Sequence, residues 1–335
     1  MGFPTRALNY TQRFMLKGLR VARIGFKPMT INDFSGYNQP YHPSVLYLEK
    51  GLFGHKYWMA QTPYPIGGLP YRDRWECPCI YWSNDGIKWE TNKTMNPLDD
   101  LSDSEISNGD YFSDPHLVYR SDTNELECWY RITHMNRNIT DKKFQYPTYV
   151  VRKTTKDGVH WSERELLIDL QSKSNFDDMV RSPAILWDNE KKIYRMWYVD
   201  TLPTLSNRNI VYAESNDGFK WRKTITKMDY YIDPWHIDVN FFDGKYHLIN
   251  YTLTGNQGLN YYESENGIEF NFFKVLLEPG RSFISGFYRA NLYRSCSIKA
   301  HDGIRVYFSA SDGLKTSIGV LRGKNFRNLK MMNIK

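Results

Sequence analysis

Six residues stand out for what their side chains could do: His42, Asp114, Arg181, His236, Asp238 and Arg294. Each lies at or near the start of a short apolar run. His42 leads Pro43-Ser44-Val45-Leu46, Asp114 leads Pro115-His116-Leu117-Val118, and Arg181 leads Ser182-Pro183-Ala184-Ile185. His236 and Asp238 flank Ile237, and Arg294 follows Tyr293 ahead of Ser295-Cys296-Ser297-Ile298. Two carboxylates with an imidazole can run general acid–base chemistry, which puts Asp114, Asp238 and His42 forward as catalytic residues if the protein is an enzyme. The guanidinium groups of Arg181 and Arg294 match carboxylates and phosphates bidentately, which suits an anionic ligand. Tyr41, Trp75 and Trp235 add aromatic faces of the kind that stack on sugar rings. The ligand-binding set read from the sequence is therefore Tyr41, His42, Trp75, Asp114, Arg181, Trp235, His236, Asp238 and Arg294. Each also has a structural reading: Asp114 before Pro115 can cap a turn, and Trp235 can pack between repeats.

Residues so far apart in the chain converge only if repeated elements bring them together, and a repeat is present. Ser83-Asn84-Asp85-Gly86-Ile87-Lys88-Trp89 recurs as Thr155-Lys156-Asp157-Gly158-Val159-His160-Trp161 and as Ser215-Asn216-Asp217-Gly218-Phe219-Lys220-Trp221. Decayed copies follow at Ser264-Glu265-Asn266-Gly267-Ile268-Glu269-Phe270 and at Arg322-Gly323-Lys324-Asn325-Phe326. Asp/Asn-Gly supplies the positive φ of a tight turn, and the aromatic beyond it is expected to pack the outer strand back onto its own unit. Upstream of each turn an apolar strand leads to an aromatic one, such as Tyr57-Trp58-Met59, Cys128-Trp129-Tyr130 and Met196-Trp197-Tyr198. The pattern predicts an all-β chain: a single five-bladed β-propeller with four-stranded antiparallel blades over residues 33–335. In that architecture the first strand of each blade lines the axis, so the six residues gather at one mouth of the central channel.

Over residues 37 to 330 the chain resembles the five-bladed propellers of glycoside hydrolase families 43, 62, 32 and 68, and related propellers of phage receptor-binding proteins. The resemblance rests on His42-Pro43, on Ser113-Asp114-Pro115 and on the Asp-Gly-x-x-Trp turns. It implies three acidic groups at the mouth: an Asp opening the first inner strand, a second Asp and a Glu acid. Here the first position is His42, and the third blade opens with Arg181-Ser182-Pro183, leaving Asp114 and Asp238. Glu76, in Trp75-Glu76-Cys77-Pro78, resembles the Glu-Cys-Pro acid of family 32 but precedes a third strand, and is set aside. The expectation is thus binding rather than hydrolysis: a propeller that recognises a cell-surface polysaccharide, in the manner of a phage tail or adhesion protein, with virion proteins and a homotrimer as implied partners. The alternatives are a glycoside hydrolase of the arabinofuranosidase, xylosidase or fructosidase kind, and a structural scaffold. No cofactor is expected, although the resemblance admits an axial calcium ion.

Composition sets further bounds. With 25 Tyr, 18 Phe and 10 Trp in 335 residues the chain fits pleated surfaces better than helices. No apolar stretch is long enough to span a bilayer and no secretory signal is evident, so a soluble protein is expected, virion-associated or cytoplasmic. The net charge of +7 is spread among acids except at residues 1–32, where Arg6, Arg13, Lys17, Arg20, Arg23 and Lys27 meet no acidic residue. That segment reads either as a basic docking arm or as an outer strand, Leu19 to Phe26, closing the last blade. No nucleic-acid motif accompanies the charge. Cys77, Cys79, Cys128 and Cys296 lack disulfide or zinc spacing and are expected as buried thiols.

Overall fold

The computed structural model describes residues 25–66, 76–133, 148–169, 179–201, 208–253, 257–280 and 283–334. Its strands form five sheets, each built from consecutive chain, around a common axis. The first blade contains β1 (Pro40–Leu52), β2 (His55–Pro63) and β3 (Cys79–Ser83). The second contains β4 (Tyr111–Arg120), β5 (Glu125–Thr133), β6 (Thr148–Thr155) and β7 (Glu165–Asp169), and the third β8 (Val180–Asp188), β9 (Ile193–Asp200), β10 (Asn209–Ser215) and β11 (Arg222–Ile225). The fourth comprises β12 (Lys227–Met228), β13 (His236–Phe242), β14 (Lys245–Tyr251), β15 (Leu259–Ser264) and β16 (Glu269–Leu277). The fifth comprises β17 (Asn291–Ala300), β18 (Gly303–Ser311), β19 (Thr316–Gly323) and β20 (Lys330–Met331).

Four strands per blade is the rule in three blades, and the two departures have local causes. In the first blade the outer strand shrinks to one bridge, Trp82 with Glu90. Asn96 then stands in for backbone: its amide oxygen accepts from the Ile80 N–H at 2.8 Å and its amide nitrogen donates to the Ile80 carbonyl at 3.1 Å. In the fourth blade the incoming connection pairs in parallel with β16, adding a fifth strand.

Apolar side chains occupy both faces of the inner strands, so each blade must bury two faces, and the core divides into wedges between neighbours. Trp58, Leu117 and Tyr130 fill the wedge between the first and second blades, and Trp129, Ile185 and Trp221 that between the second and third. Trp197, Val239 and Phe270 follow, then Tyr261, Phe308 and Phe326. The ring closes where Tyr57, Met59 and Cys79 meet Cys296 and Tyr307, sealed from outside by Met29 and Ile31. Burying one such indole removes roughly 200 Å² from water, on the order of 5 kcal/mol before entropy is charged.

The repeated turn is the lock between wedges. In each clear copy the Asp accepts from two backbone N–H groups beyond the glycine, as Asp157 does from Val159 and His160 at 2.8 Å. Gly158 has φ +79, and a Cβ there would lie 2.4 Å from the Trp58 ring of the preceding blade. The aromatic of the turn also crosses the boundary rather than folding back onto its own blade. Trp221 packs edge-on to Trp129, and the Trp161 indole N–H points to the Met95 sulfur. The turns therefore join blades as well as ending strands.

Residues 1–24, with most of the basic segment and Leu19, lie outside the described residues. Met29 donates to the Ile318 carbonyl and packs into the closing wedge, so residues 27–33 run as an extended seam rather than a strand. All four cysteines are free and buried. Among the described residues no helix is long and apolar enough to cross a membrane.

Candidate functional site

The starts of the inner strands carry a shared irregularity. Register shifts fall between Tyr41 and Ser44, Ser113 and His116, Arg181 and Ala184, and Leu292 and Ser295. At the first three, the residue before proline takes a positive φ: His42 at 51°, Asp114 at 54° and Ser182 at 50°. Non-glycine residues there are strained by about 1–3 kcal/mol each, and a bulge of this kind re-aims the side chain into the channel. The register also corrects the alignment of the third blade. Ser182, not Arg181, is the counterpart of His42 and Asp114, and Arg181 is the counterpart of Tyr41 and Ser113.

Asp114 is the hub. One carboxylate oxygen, Oδ2, accepts from Arg131 Nε at 3.0 Å and from the Ser182 backbone N–H at 3.1 Å. The other, Oδ1, is buried and has no hydrogen-bond partner among the described residues; it lies 3.4 Å from His236 Nδ1 and 3.8 Å from Arg294 Nη1. Both ring nitrogens of His236 are likewise buried without a hydrogen-bond partner among the described residues. His42 Nδ1 is engaged by the Thr62 hydroxyl at 2.9 Å, leaving its Nε2 free of that contact. Donor atoms of His42, Asp114 and His236 all lie within 4.8 Å of one another, and the three residues are buried.

The charge states follow from this packing. Burial drives His42 down to about 3, and burial also takes His236 well below the ordinary imidazole value, so both rings are neutral at pH 7. For Asp114 burial pushes upward, but the guanidinium groups of Arg131 and then Arg294 hold the carboxyl well below its usual range. Two neutral imidazoles and one ionised carboxylate form a nitrogen-rich, borderline-soft donor set that suits zinc-like divalent ions; calcium takes oxygen ligands. The unpartnered Asp114 and His236 atoms are what such an ion would satisfy. Arg131, Ser182 and Thr62 would then supply outer hydrogen bonds of the kind that orient ligands at metal centres.

Around this cluster stand groups of different standing. Glu76, set aside in the sequence, lies 3.9 Å from His42 and is buried. In an antiparallel blade the inner strand begins, the second ends and the third begins at the same mouth, so the connection before β3 borders the axis too. Burial, reinforced by the Asp114 charge, raises Glu76 to about 8, which keeps it protonated at neutral pH. Tyr41 stacks on Tyr293 at 5.1 Å, and the Trp235 indole donates to the Tyr293 hydroxyl at 2.8 Å, forming an aromatic wall. Arg181 lies over Trp235, 3.8 Å from the ring centroid. Arg294 sits beneath, donating to the Pro115 and Pro183 carbonyls. Asp238 is turned into the next blade interface, where Oδ2 accepts from the Ser297 N–H at 2.8 Å and its hydroxyl at 3.1 Å. Trp75 lies outside the described residues. Sequence reasoning thus named His42, Asp114, His236, Tyr41, Trp235 and Arg181, all of which meet here. It missed Arg131, whose signal was only its place near the end of a second strand.

No family model matches the chain, and no curated protein matches it in sequence. Solved structures do. An N-acetylgalactosamine deacetylase from F. plautii, in complex with blood group B trisaccharide, shares 19% identity over 89% of this chain and 93% of that one, with a TM-score of 0.69. A β-xylosidase shares 10% identity over 92% and 98% of the two chains with a TM-score of 0.58. A family 43 β-1,3-galactosidase with galactodeoxynojirimycin shares 9% over 93% and 99%, also at 0.58. The fold is that of the glycosidase propellers. At these identities the likeness carries architecture alone, and the chemistry has to come from the mouth itself.

Proposed function

We propose that this chain is a metal-assisted hydrolase acting on a glycan, and that the bond it breaks is an N-acyl bond on an amino sugar rather than a glycosidic one. The observation that carries the reading is the convergence of His42, Asp114 and His236, with buried donor atoms of Asp114 and His236 left unpartnered among the described residues. A divalent cation held by these three residues would supply Lewis-acid polarisation of an acyl carbonyl. Glu76, buried beside His42, would ionise once a divalent cation stood at the cluster, and is then placed to take a proton from attacking water and pass it to the leaving nitrogen. Tyr293 and Trp235, both half-buried, border the mouth with Tyr41 packed behind them, and their packing limits water there. An N-acetylgalactosamine deacetylase shares this architecture, so the fold is compatible with that class of reaction.

The reading expected from the acids alone is a propeller that holds a cell-surface polysaccharide without cutting it, with virion partners contacted through residues 1–32. One observation favours it: the first inner strand offers His42 where a glycosidase needs a carboxylate. A glycosidase using Asp114 and Asp238 requires two carboxylates across one pocket, whereas Asp238 is held by Ser297 outside the three-residue cluster. Metal analysis of the purified protein, with acetate release from a panel of N-acetylated oligosaccharides, separates these. One equivalent of divalent metal with acetate release that His236→Ala abolishes supports the first reading. Glycan binding with neither metal nor turnover supports the second.

A further inference from the structure

Among the described residues four arginines approach the mouth, and three of them are committed. Arg131 donates through Nε to Asp114, through Nη1 to Thr133 at 2.9 Å and through Nη2 to Ser113 at 2.5 Å. Arg294 is fully buried and spans the Pro115 and Pro183 carbonyls. Arg208 is ion-paired with Asp233 at 2.6 Å and donates to the Pro234 carbonyl. Arg181 has no ion pair among the described residues, and its buried Nε has no acceptor. Leaving a buried guanidinium donor unmade carries a penalty that a ligand can recover.

Its surroundings are those of a receptor. The guanidinium lies over the Trp235 ring, which Arg208 also approaches, at 4.7 Å from the centroid. Trp235 is itself held by Tyr293. Stacking fixes the plane of the guanidinium before any ligand arrives, so little rotamer freedom is lost on binding. Arg181, Trp235 and Tyr293 are all only half-buried, unlike the cluster of His42, Asp114 and His236 beneath them. Guanidinium groups outnumber ionised carboxylates here, so the field favours an anion.

We infer that Arg181 is the binding site for a negatively charged substituent, a carboxylate or phosphate, on the glycan that enters this mouth. The inference rests on the reading that the mouth takes a glycan, and it narrows the substrate class to acidic polysaccharides. It replaces the expectation that Arg181 and Arg294 act together, because Arg294 is fully buried and gives both terminal nitrogens to the Pro115 and Pro183 carbonyls.

The test uses metal-free full-length protein, so that binding is read apart from turnover. A glycan array carrying neutral, uronate-bearing and phosphate-bearing N-acetylated oligosaccharides is probed with wild type, Arg181→Gln and Arg181→Lys. Wild type is expected to bind acidic members roughly 10- to 100-fold more tightly than neutral counterparts. Arg181→Gln should lose that ratio while keeping neutral binding and its melting temperature, and Arg181→Lys should keep part of it. Preference for uronates or for phosphates identifies which anion is recognised. Bound glycans no richer in anions than the whole array, or a ratio unchanged in Arg181→Gln, overturns the inference while leaving the hydrolase reading standing. Binding of no glycan at all overturns both. Acidic preference without acetate release by the metal-loaded protein sustains this inference and removes only the proposed reaction.

Discussion

The guanidinium of Arg294, carried by the last inner strand, donates across the propeller axis to the Pro115 carbonyl in the second blade at 3.0 Å. A second donor reaches the Pro183 carbonyl in the third blade at 3.1 Å. These two carbonyls follow the strained residues Asp114 and Ser182, so one side chain holds two bulges in place from the far side of the ring. Arg294→Met should leave both carbonyls unpaired and destabilise the protein by about 2–5 kcal/mol. Arg294→Lys, which keeps the charge but lacks the fork, should recover only part of that. Urea unfolding of the two variants measures it, and equal stability of Arg294→Lys and wild type would mean that charge alone suffices.

His236→Ala should behave in the opposite way. Among the described residues its ring nitrogens have no hydrogen-bond partner, so in metal-free protein the removal of unsatisfied polar atoms should offset the lost packing against Tyr293, and stability should hold. With zinc at about 100 times its dissociation constant, wild type should gain roughly 2.7 kcal/mol and the variant little. Thermal unfolding with and without zinc decides the matter; an equal zinc-induced shift in both proteins would remove His236 from the donor set.

Glu76→Gln separates proton transfer from metal binding. The variant should retain one equivalent of metal and lose about 10²- to 10⁴-fold in kcat for acetate release. Metal content and turnover are measured on the same preparation. Loss of metal instead would move Glu76 into the donor set.

Asp238 carries a pH signature. Burial raises its carboxyl to about 6, despite hydrogen bonds from Ser297 and the nearby charge of Arg294. A folded value above the unfolded one means that the stabilisation is fully present below about pH 4 and is lost as pH rises through 6. Asp238→Asn keeps an acceptor for the Ser297 N–H but cannot ionise. Between pH 4 and pH 7 wild type should therefore lose on the order of 3 kcal/mol more than the variant. Parallel stability curves would show that Asp238 keeps an ordinary pKa.

The turn glycines offer a paired test of wedge packing. A Cβ on Gly158 would meet the Trp58 ring at 2.4 Å, whereas Gly54, with φ +88, has nothing within 4 Å. Gly54→Ala should therefore register only the backbone strain, roughly 1–2 kcal/mol. Gly158→Ala should lose about 1–3 kcal/mol more through overpacking against the neighbouring blade. Similar losses in both would mean that the turn does not fasten adjacent blades.

Much of the architecture was legible in the chain because its signals are local. Asp-Gly turns with an aromatic at fixed spacing, and apolar strands feeding aromatic ones, are dictated by backbone sterics and pleat alternation within a few residues. The number of blades, the inner strands and six of the residues at the mouth followed from counting those units. Tertiary structure decided everything that depends on where neighbouring blades put their atoms. Glu76 and Arg131 approach the axis because antiparallel strands return to the same mouth, which no local pattern marks. The same bulge in all three strands puts Ser182, not Arg181, in the row with His42 and Asp114. Asp238 and Arg294, expected in the pocket, are drawn into the fold by Ser297 and by the Pro115 and Pro183 carbonyls. Sequence names the residue types that can do chemistry. Which of them is left with an unsatisfied atom is settled by long-range packing, since a hydrogen bond between blades consumes the same donor or acceptor that a ligand would need.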